Sequence, residues 1–365
     1  MEYRIQQIQP FFDEQETRNL EKAISTGWVT EGPFSQEFLT LLKEFTGARY
    51  AVLANNGTLG LYLALLAIGA AEGDEVIVPD FTFNASASSI AFTGAEPVFT
   101  DINKNDLQIN ASGIEGLITP RTKAIMPVHI YGQSCDMDPI VDIAKKHNLK
   151  IVEDAAQGFG VFYKGKHTGT IGDVGVISFF ADKTITTGEG AVILTNNEAI
   201  FNRLKMLRNQ GRPNSGTFIH PELGMNFRMT DLQCAVGVAQ FKKFAQIKEI
   251  KLRNFNRYKE LLSGIPQIEF VQINDFTNFI PFRVNIKVPD VEGLIAHLEN
   301  NAIQTRRMFY PLHRQPCFKF LNYDDAGFSA SIDAYDRGIS FPVHCRLKDE
   351  DIVYLCDQVK AFYKR

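Results

Sequence analysis

Two periods of apolar and polar residues follow one another along this chain, and each change of period marks an element. Residues 13–26, DEQETRNLEKAIST, read as a polar helix, and GWVTEGPFS after them as a loop carrying Gly27, Gly32 and Pro33. FSQEFLTLLKEFTGA, 34–48, places apolar residues at helical spacing and ends at Gly47. From YAVLA onward, short apolar runs alternate with helical patterns. DEVIVPDFT, EPVFTD, KAIMPVHIYG, LKIVEDA and VGVISFF read as strands; LGLYLALLAIGA, NASASSIAFTGA and MDPIVDIAKKHN read as helices between them. Runs that are apolar at every position, rather than at every second one, belong to strands covered on both faces. The pattern predicts an α/β fold with a mainly parallel sheet between helices.

After Leu194 the character changes. EAIFNRLKMLRNQG reads as a helix, and the stretch from TDLQCAVG to Gly264 as a long helical run broken once. IEFVQI and IPFRVNIKV read as strands, DVEGLIAHLENN as a helix, and EDIVYLCDQVKAFYKR as the closing helix. This places a large domain at 1–245 and a smaller α+β domain at 246–365.

The 365 residues are 45% hydrophobic and 22% charged, an ordinary globular balance. A net charge of −4 gives no basic footprint for nucleic acid. No apolar run approaches the roughly 20 residues that span a bilayer. The polar start, MEYRIQQIQPFFDEQE, lacks the apolar core of a signal peptide. The five cysteines are scattered and none forms a CxxC pair, so neither a disulfide framework nor a metal site is expected, and a reducing cytoplasm fits.

Candidate chemistry gathers at the ends of the predicted strands, where open α/β sheets bind their ligands. SFFADKTITTGEGAVILTNN leaves a buried-looking strand, presents Lys183 among Asp182, Thr184, Thr186 and Thr187, turns through Gly-Glu-Gly and returns on AVILT. Burial there would lower the lysine's pKa and make it a nucleophile toward carbonyls; otherwise it is an exposed hairpin tip. Asn56-Gly57-Thr58 follows a strand and opens a helix, either as a phosphate site of free N–H groups and a hydroxyl or as an ordinary N-cap. Asp154 ends another strand, with Gln157 three residues on, either facing the same crevice or capping a helix. Phe83 ends a further strand and either stacks on a ligand or fills core. There is no Gly-Lys-Ser/Thr phosphate loop and no dinucleotide fingerprint. A phosphate cradle, a strand-end carboxylate and a strand-end lysine are together what pyridoxal phosphate requires: a Schiff-base partner, and an acid that keeps the pyridine nitrogen protonated.

On NNGTLGLYLAL, DEVIVPDFTFNASA, TPRTKAIMPVHIYGQ, VEDAAQ, SFFADKTITTGEGA and GMNFRMTDLQCAVG, the sequence resembles the DegT/DnrJ/EryC1/StrS family of sugar aminotransferases, from about residue 8 to the C-terminus. The resemblance implies the fold type I architecture, with a seven-stranded sheet in the large domain. It implies that Lys183 bonds to the cofactor, Asp154 meets the pyridine nitrogen, Gln157 the O3′ region, and Phe83 the ring face. Gly57, Thr58 and Ser178 would hold the phosphate, and Asn226 would reach the phosphate of a neighbouring subunit, which implies a homodimer. Two positions depart from the family pattern: Ala191 stands where a second glycine is common after Gly-Glu-Gly, and Phe83 where some relatives have Tyr or Trp.

The resemblance also implies an amino donor, L-glutamate, and a keto sugar acceptor. TPRTKAIMPVHIYGQSCDMDPI is similar to GDP-perosamine synthases, which aminate C4 of a GDP-linked 4-keto-6-deoxyhexose for surface polysaccharides. A nucleotide-free keto sugar acid such as 8-keto-Kdo is the alternative acceptor. Relatives with His for the lysine are dehydratases, and others are regulatory; Lys183 and the intact TTGEG turn weigh against both. Residues 306–314, RRMFYPLHR, are basic and aromatic together and match the family region that closes over the sugar. Arg306, Tyr310 and His313 are the candidate substrate residues there; the other reading is a solvated basic loop over core aromatics.

Overall fold

The strands assemble as the apolar runs predict. In the computed structural model, which describes residues 3–214, 216 and 218–364, they are β1 (Tyr50–Ala54), β2 (Glu75–Pro79), β3 (Glu96–Thr100), β4 (Thr122–Ile125) and β5 (Lys150–Asp154). A small hairpin, β6 (Phe162–Tyr163) and β7 (Lys166–His167), precedes β8 (Val174–Ser178) and β9 (Ala191–Thr195). Apart from that hairpin they form one seven-stranded sheet in the order β1-β9-β8-β5-β4-β2-β3. Strand β9 runs antiparallel to β1 and β8; every other neighbouring pair is parallel.

Helices cover both faces, so β2, β8 and β9 are buried at every residue. The pleat distributes β8 and β9 between two cores. Val176 and Ile193 join Leu61, Leu65 and Leu204 on one face; Ile177, Val192 and Leu194 join Phe38, Leu42 and Val238 on the other. Each such side chain contributes roughly 1.5–3 kcal/mol on full burial. Distant residues fix two helix ends. Asp231 accepts from the N–H groups of Gly32 (3.0 Å) and Ser35 (2.7 Å), capping helix Pro33–Thr46. Asp101, just past β3, does the same for helix Ser329–Arg337 by accepting from Ala330 and Ser331 N–H groups at 2.9 Å.

Strand β4 is shorter than KAIMPVHIYG suggests. Pro127 has no N–H for the ladder, and the chain then turns through Tyr131, a non-glycine residue at φ 59°. The long helical run does break once, at Lys243, into Asp231–Lys242 and Phe244–Leu262.

A second sheet follows, antiparallel throughout, in the order β10 (Glu269–Phe270), β11 (Val284–Lys287), β13 (Gly338–Phe341), β12 (Arg306–Arg307). Helices Val291–Asn300 and Asp349–Tyr363 close its core around Ile286, Leu294, Leu298, Ile339, Phe341 and Leu355. Strand β13 and helix Ser329–Arg337 carry no apolar period that marks them in the sequence. Ile5 belongs to this core and bridges to Ile303. Helix Phe244–Leu262 serves both cores, with Ile247 in the first and Phe255, Tyr258 and Leu262 in the second. Among the described residues, no helix is long and apolar enough to cross a membrane.

Candidate active site

The carboxyl ends of β8, β5 and β2 and the start of helix Gly57–Ala67 lie along one edge of the sheet. Asn56 caps that helix, its side-chain oxygen accepting from Leu59 N–H at 2.9 Å, so the N–H groups of the first turn have no partner within the helix. The helix is drawn hard onto the sheet: a Cβ on Gly60 would lie 2.8 Å from Val176 Cγ1. Gly57 sits as close to β8, where a Cβ would lie 2.9 Å from Ser178 Cβ and 3.1 Å from Ser178 Oγ. Gly57 and Ser178 are therefore in contact, with Thr58 next along the chain, an arrangement of N–H and hydroxyl donors at a helix N-terminus that can receive an anion. Asn226 is exposed on another segment, its side-chain oxygen accepting from Arg228 N–H at 3.2 Å.

Asp154 closes β5 and is buried. Its Oδ2 accepts from Ser86 Oγ at 2.7 Å and its Oδ1 from Ala156 N–H at 3.0 Å. Burial pushes its carboxyl above the usual range, against the pull of those donors and of Lys183. Gln157 is buried beside it and accepts from Tyr131 N–H at 2.7 Å, leaving its amide N–H groups for a ligand. Glu153, one residue earlier, points the other way. Its carboxylate accepts from Gly169, Ile171 and Gly172 N–H groups (2.7, 2.7 and 2.6 Å) and lies 2.9 Å from His129 Nε2. Burial alone would raise its pKa; the His129 ring and the backbone donors outweigh that and hold it below the usual range. Since Cys135 N–H donates to His129 Nδ1 at 3.1 Å, the ring's proton lies on Nε2, toward Glu153.

Lys183 lies in the loop from β8 to β9, which its threonines lock. Thr186 Oγ1 donates to Phe179 O at 3.0 Å, and Thr187 N–H donates to the same carbonyl at 2.9 Å. Gly188 turns the chain at φ 79°. Lys183 Nζ lies 3.7 Å from Asp182 Oδ1 and 4.8 Å from the Phe282 ring centre. Burial lowers its pKa, and the Asp182 and Asp154 carboxylates only partly oppose this. The loop is pinned from the second sheet by Arg283, whose Nη2 lies 2.8 Å from Asp182 Oδ2.

Phe83 is 61% exposed, its ring centre 6.2 Å from that of Phe309, which stacks in parallel on Tyr131 at 5.5 Å. The basic segment divides. Arg307 is engaged by Glu292 and the Tyr335 carbonyl, and Arg314 by both oxygens of Asp325. Arg306 is exposed and has no carboxylate partner among the described residues. Tyr310 is half-exposed, its ring edge-on to Tyr335. His313 differs from the expectation of a sugar contact: its side chain is 1% exposed, and both ring nitrogens are occupied, by Asp80 at 2.8 Å and Asp325 at 3.1 Å. It braces the segment instead. Sequence reading also passed over Glu153, Ser86, Asp80 and the Asp182–Arg283 pair; Asp80 alone carried a signal, as a carboxylate ending the VIVP strand.

The model of the DegT/DnrJ/EryC1/StrS aminotransferase family matches residues 10–360. The chain belongs to that family. Its family relatives include GDP-perosamine synthases from Escherichia coli O157:H7, 36% identical over 97% of each chain, and from Caulobacter vibrioides, 36% identical over 96% of this chain and 95% of the other. The pyridoxal-phosphate form of a putative sugar aminotransferase from Streptococcus pneumoniae superposes with a TM-score of 0.94, at 26% identity over 99% of both chains. The protein is thus a pyridoxal-phosphate-dependent sugar aminotransferase of fold type I. The Gly57–Ser178 approach, which leaves no room for a side chain, and the buried Asp154 carboxylate fit that cofactor's phosphate and ring nitrogen.

Proposed function

We propose that this aminotransferase moves the amino group of L-glutamate to a nucleotide-linked 4-keto-6-deoxyhexose, with Lys183 as the group that bonds the cofactor and carries protons. The observation behind this is the convergence of a partly buried Lys183 amine, the Asp154 carboxylate and the Gly57–Ser178 approach at adjacent strand ends. Bound pyridoxal phosphate supplies an electron sink and a carrier for the amino group. Gly57, Thr58 and Ser178 hold its phosphate, and Asp154 faces the ring nitrogen, where a positive charge would stabilise the buried carboxylate. Gln157 would take the O3′ side, and Phe83 would cover one face of the ring. Lys183 Nζ, its pKa lowered by burial, would carry the proton that leaves the donor α-carbon.

The acceptor assignment draws on the similarity to GDP-perosamine synthases and on Arg306, a guanidinium left free to pair with a diphosphate. The active unit is a homodimer in which Asn226 reaches the partner's phosphate. Supporting this, Phe218, Ile219, Leu223 and Met225 expose apolar surface on the segment leading to Asn226, Leu223 being 97% exposed.

The test is a glutamate-coupled assay across GDP-, UDP- and dTDP-linked 4-keto sugars and a keto octulosonate. Turnover with a nucleotide sugar is expected; turnover with the octulosonate alone would overturn the acceptor assignment. A fully active monomer would overturn the shared site.

A further inference from the structure

Lys183 also borders a cavity that none of Gly57, Thr58, Asp154 or Ser178 lines. Its walls include Asp182, Phe282, Arg283, Lys251 and His344, with the N-terminal segment around Gln7 as a cover. One feature of these walls calls for an anion. Lys251, midway along helix Phe244–Leu262, is 5% exposed and has no hydrogen-bond or ion-pair partner among the described residues. A buried ammonium without a counter-ion is strongly unfavourable, so such groups are ordinarily paired. The wall's one carboxylate, Asp182, is already engaged by Arg283.

We propose that this cavity receives a carboxylate of the amino donor, with Lys251 as its counter-ion and Arg283 beside it. The inference rests on the reading that Lys183 exchanges places with the donor's amine. A donor nitrogen arriving at Lys183 Nζ brings its carboxylates within one amino acid's length of the cavity that Lys183 borders. Lys251 provides an unpaired cationic wall there, next to the Arg283–Asp182 pair, and a donor with a second carboxylate can engage it. That arrangement favours an acidic donor over a neutral one. Lys251 binds and does no chemistry, and no bond forms or breaks at it.

The test uses the cofactor-loaded dimer and glutarate, a dicarboxylate with no amine to transfer, measured by calorimetry beside steady-state kinetics. Lys251→Met should weaken glutarate about tenfold or more and raise the glutamate KM in parallel, leaving the sugar KM unchanged. Lys251→Arg, which keeps the cation, should restore both to within a few-fold. Lys251→Gln, similar in length and polar, serves if the methionine variant melts early. Unchanged glutarate binding in the Met and Gln variants overturns the proposal. So does chloride binding lost with Lys251 while the glutamate KM stays fixed. If no amino acid supports the half-reaction, the role given to Lys183 fails, and glutarate binding still judges the cavity independently.

Discussion

His313 Nδ1 lies 2.8 Å from Asp80 Oδ2, tying the segment that follows β12 to the end of β2. Burial opposes charge on the ring, but Asp80 and Asp325 outweigh it and raise the His313 pKa above 6.5. Asp80 shifts the same way, because burial outweighs the histidine beside it. The folded state therefore holds protons here more tightly than the unfolded chain. The stabilisation is fully present below pH 6.5, the ordinary imidazole value, and is lost as pH rises through the folded-state value. Thermal melts of wild type and His313→Asn should differ most at pH 6 and converge toward pH 9. A constant difference across that range would remove the charged pair as the cause.

Lys183→Ala should abolish the visible absorption of protein loaded with pyridoxal phosphate and lower transamination by at least about 10³-fold. Full activity in this variant would refute the assignment of Lys183.

Gly57→Val forces a branched side chain into the 2.9 Å approach to Ser178. Cofactor affinity, read by dialysis and absorbance, should fall about tenfold or more. The melt of the cofactor-free protein reports separately any cost to the sheet.

Arg306→Ala should raise the KM for the sugar and leave the glutamate half-reaction nearly unchanged. Equal loss in both half-reactions would mean that Arg306 supports the fold.

Glu153→Gln replaces one acceptor oxygen with an N–H group facing backbone donors. The buried site then loses hydrogen bonds it has no means to replace, and stability should fall by about 2–4 kcal/mol in denaturant titration.

The place of a candidate site was legible because a buried strand of this sheet is a mostly apolar run, so the polar stretch that follows one stands out. Asp154 follows KIVE directly, and Lys183 and Gly57 each follow their runs, VISFF and YAVLA, after two intervening residues. The antiparallel return of β9 beside β8 was legible in the Gly-Glu-Gly turn, but its pairing with the distant β1 was not, since AVILT carries no mark of its second neighbour. The supports were hidden for a different reason. Arg283 lies 101 residues from Asp182, and His313 lies 233 from Asp80. Neither pair has a periodicity to connect it, and in sequence each member resembles a solvated charge. His313 was read as a sugar contact because a basic, aromatic stretch does not reveal which side chains turn inward.

Helix Phe244–Leu262 is embedded in both cores, with Ile247 at one end and Leu262 at the other. It works as a strut of fixed length. Arg306 lies on the second sheet and Lys183 in the loop after β8, and this helix, together with the Arg283–Asp182 and His313–Asp80 pairs, keeps the two sheets at a set spacing. Lengthening that helix by one turn should shift the preference among acceptors before it harms the glutamate half-reaction.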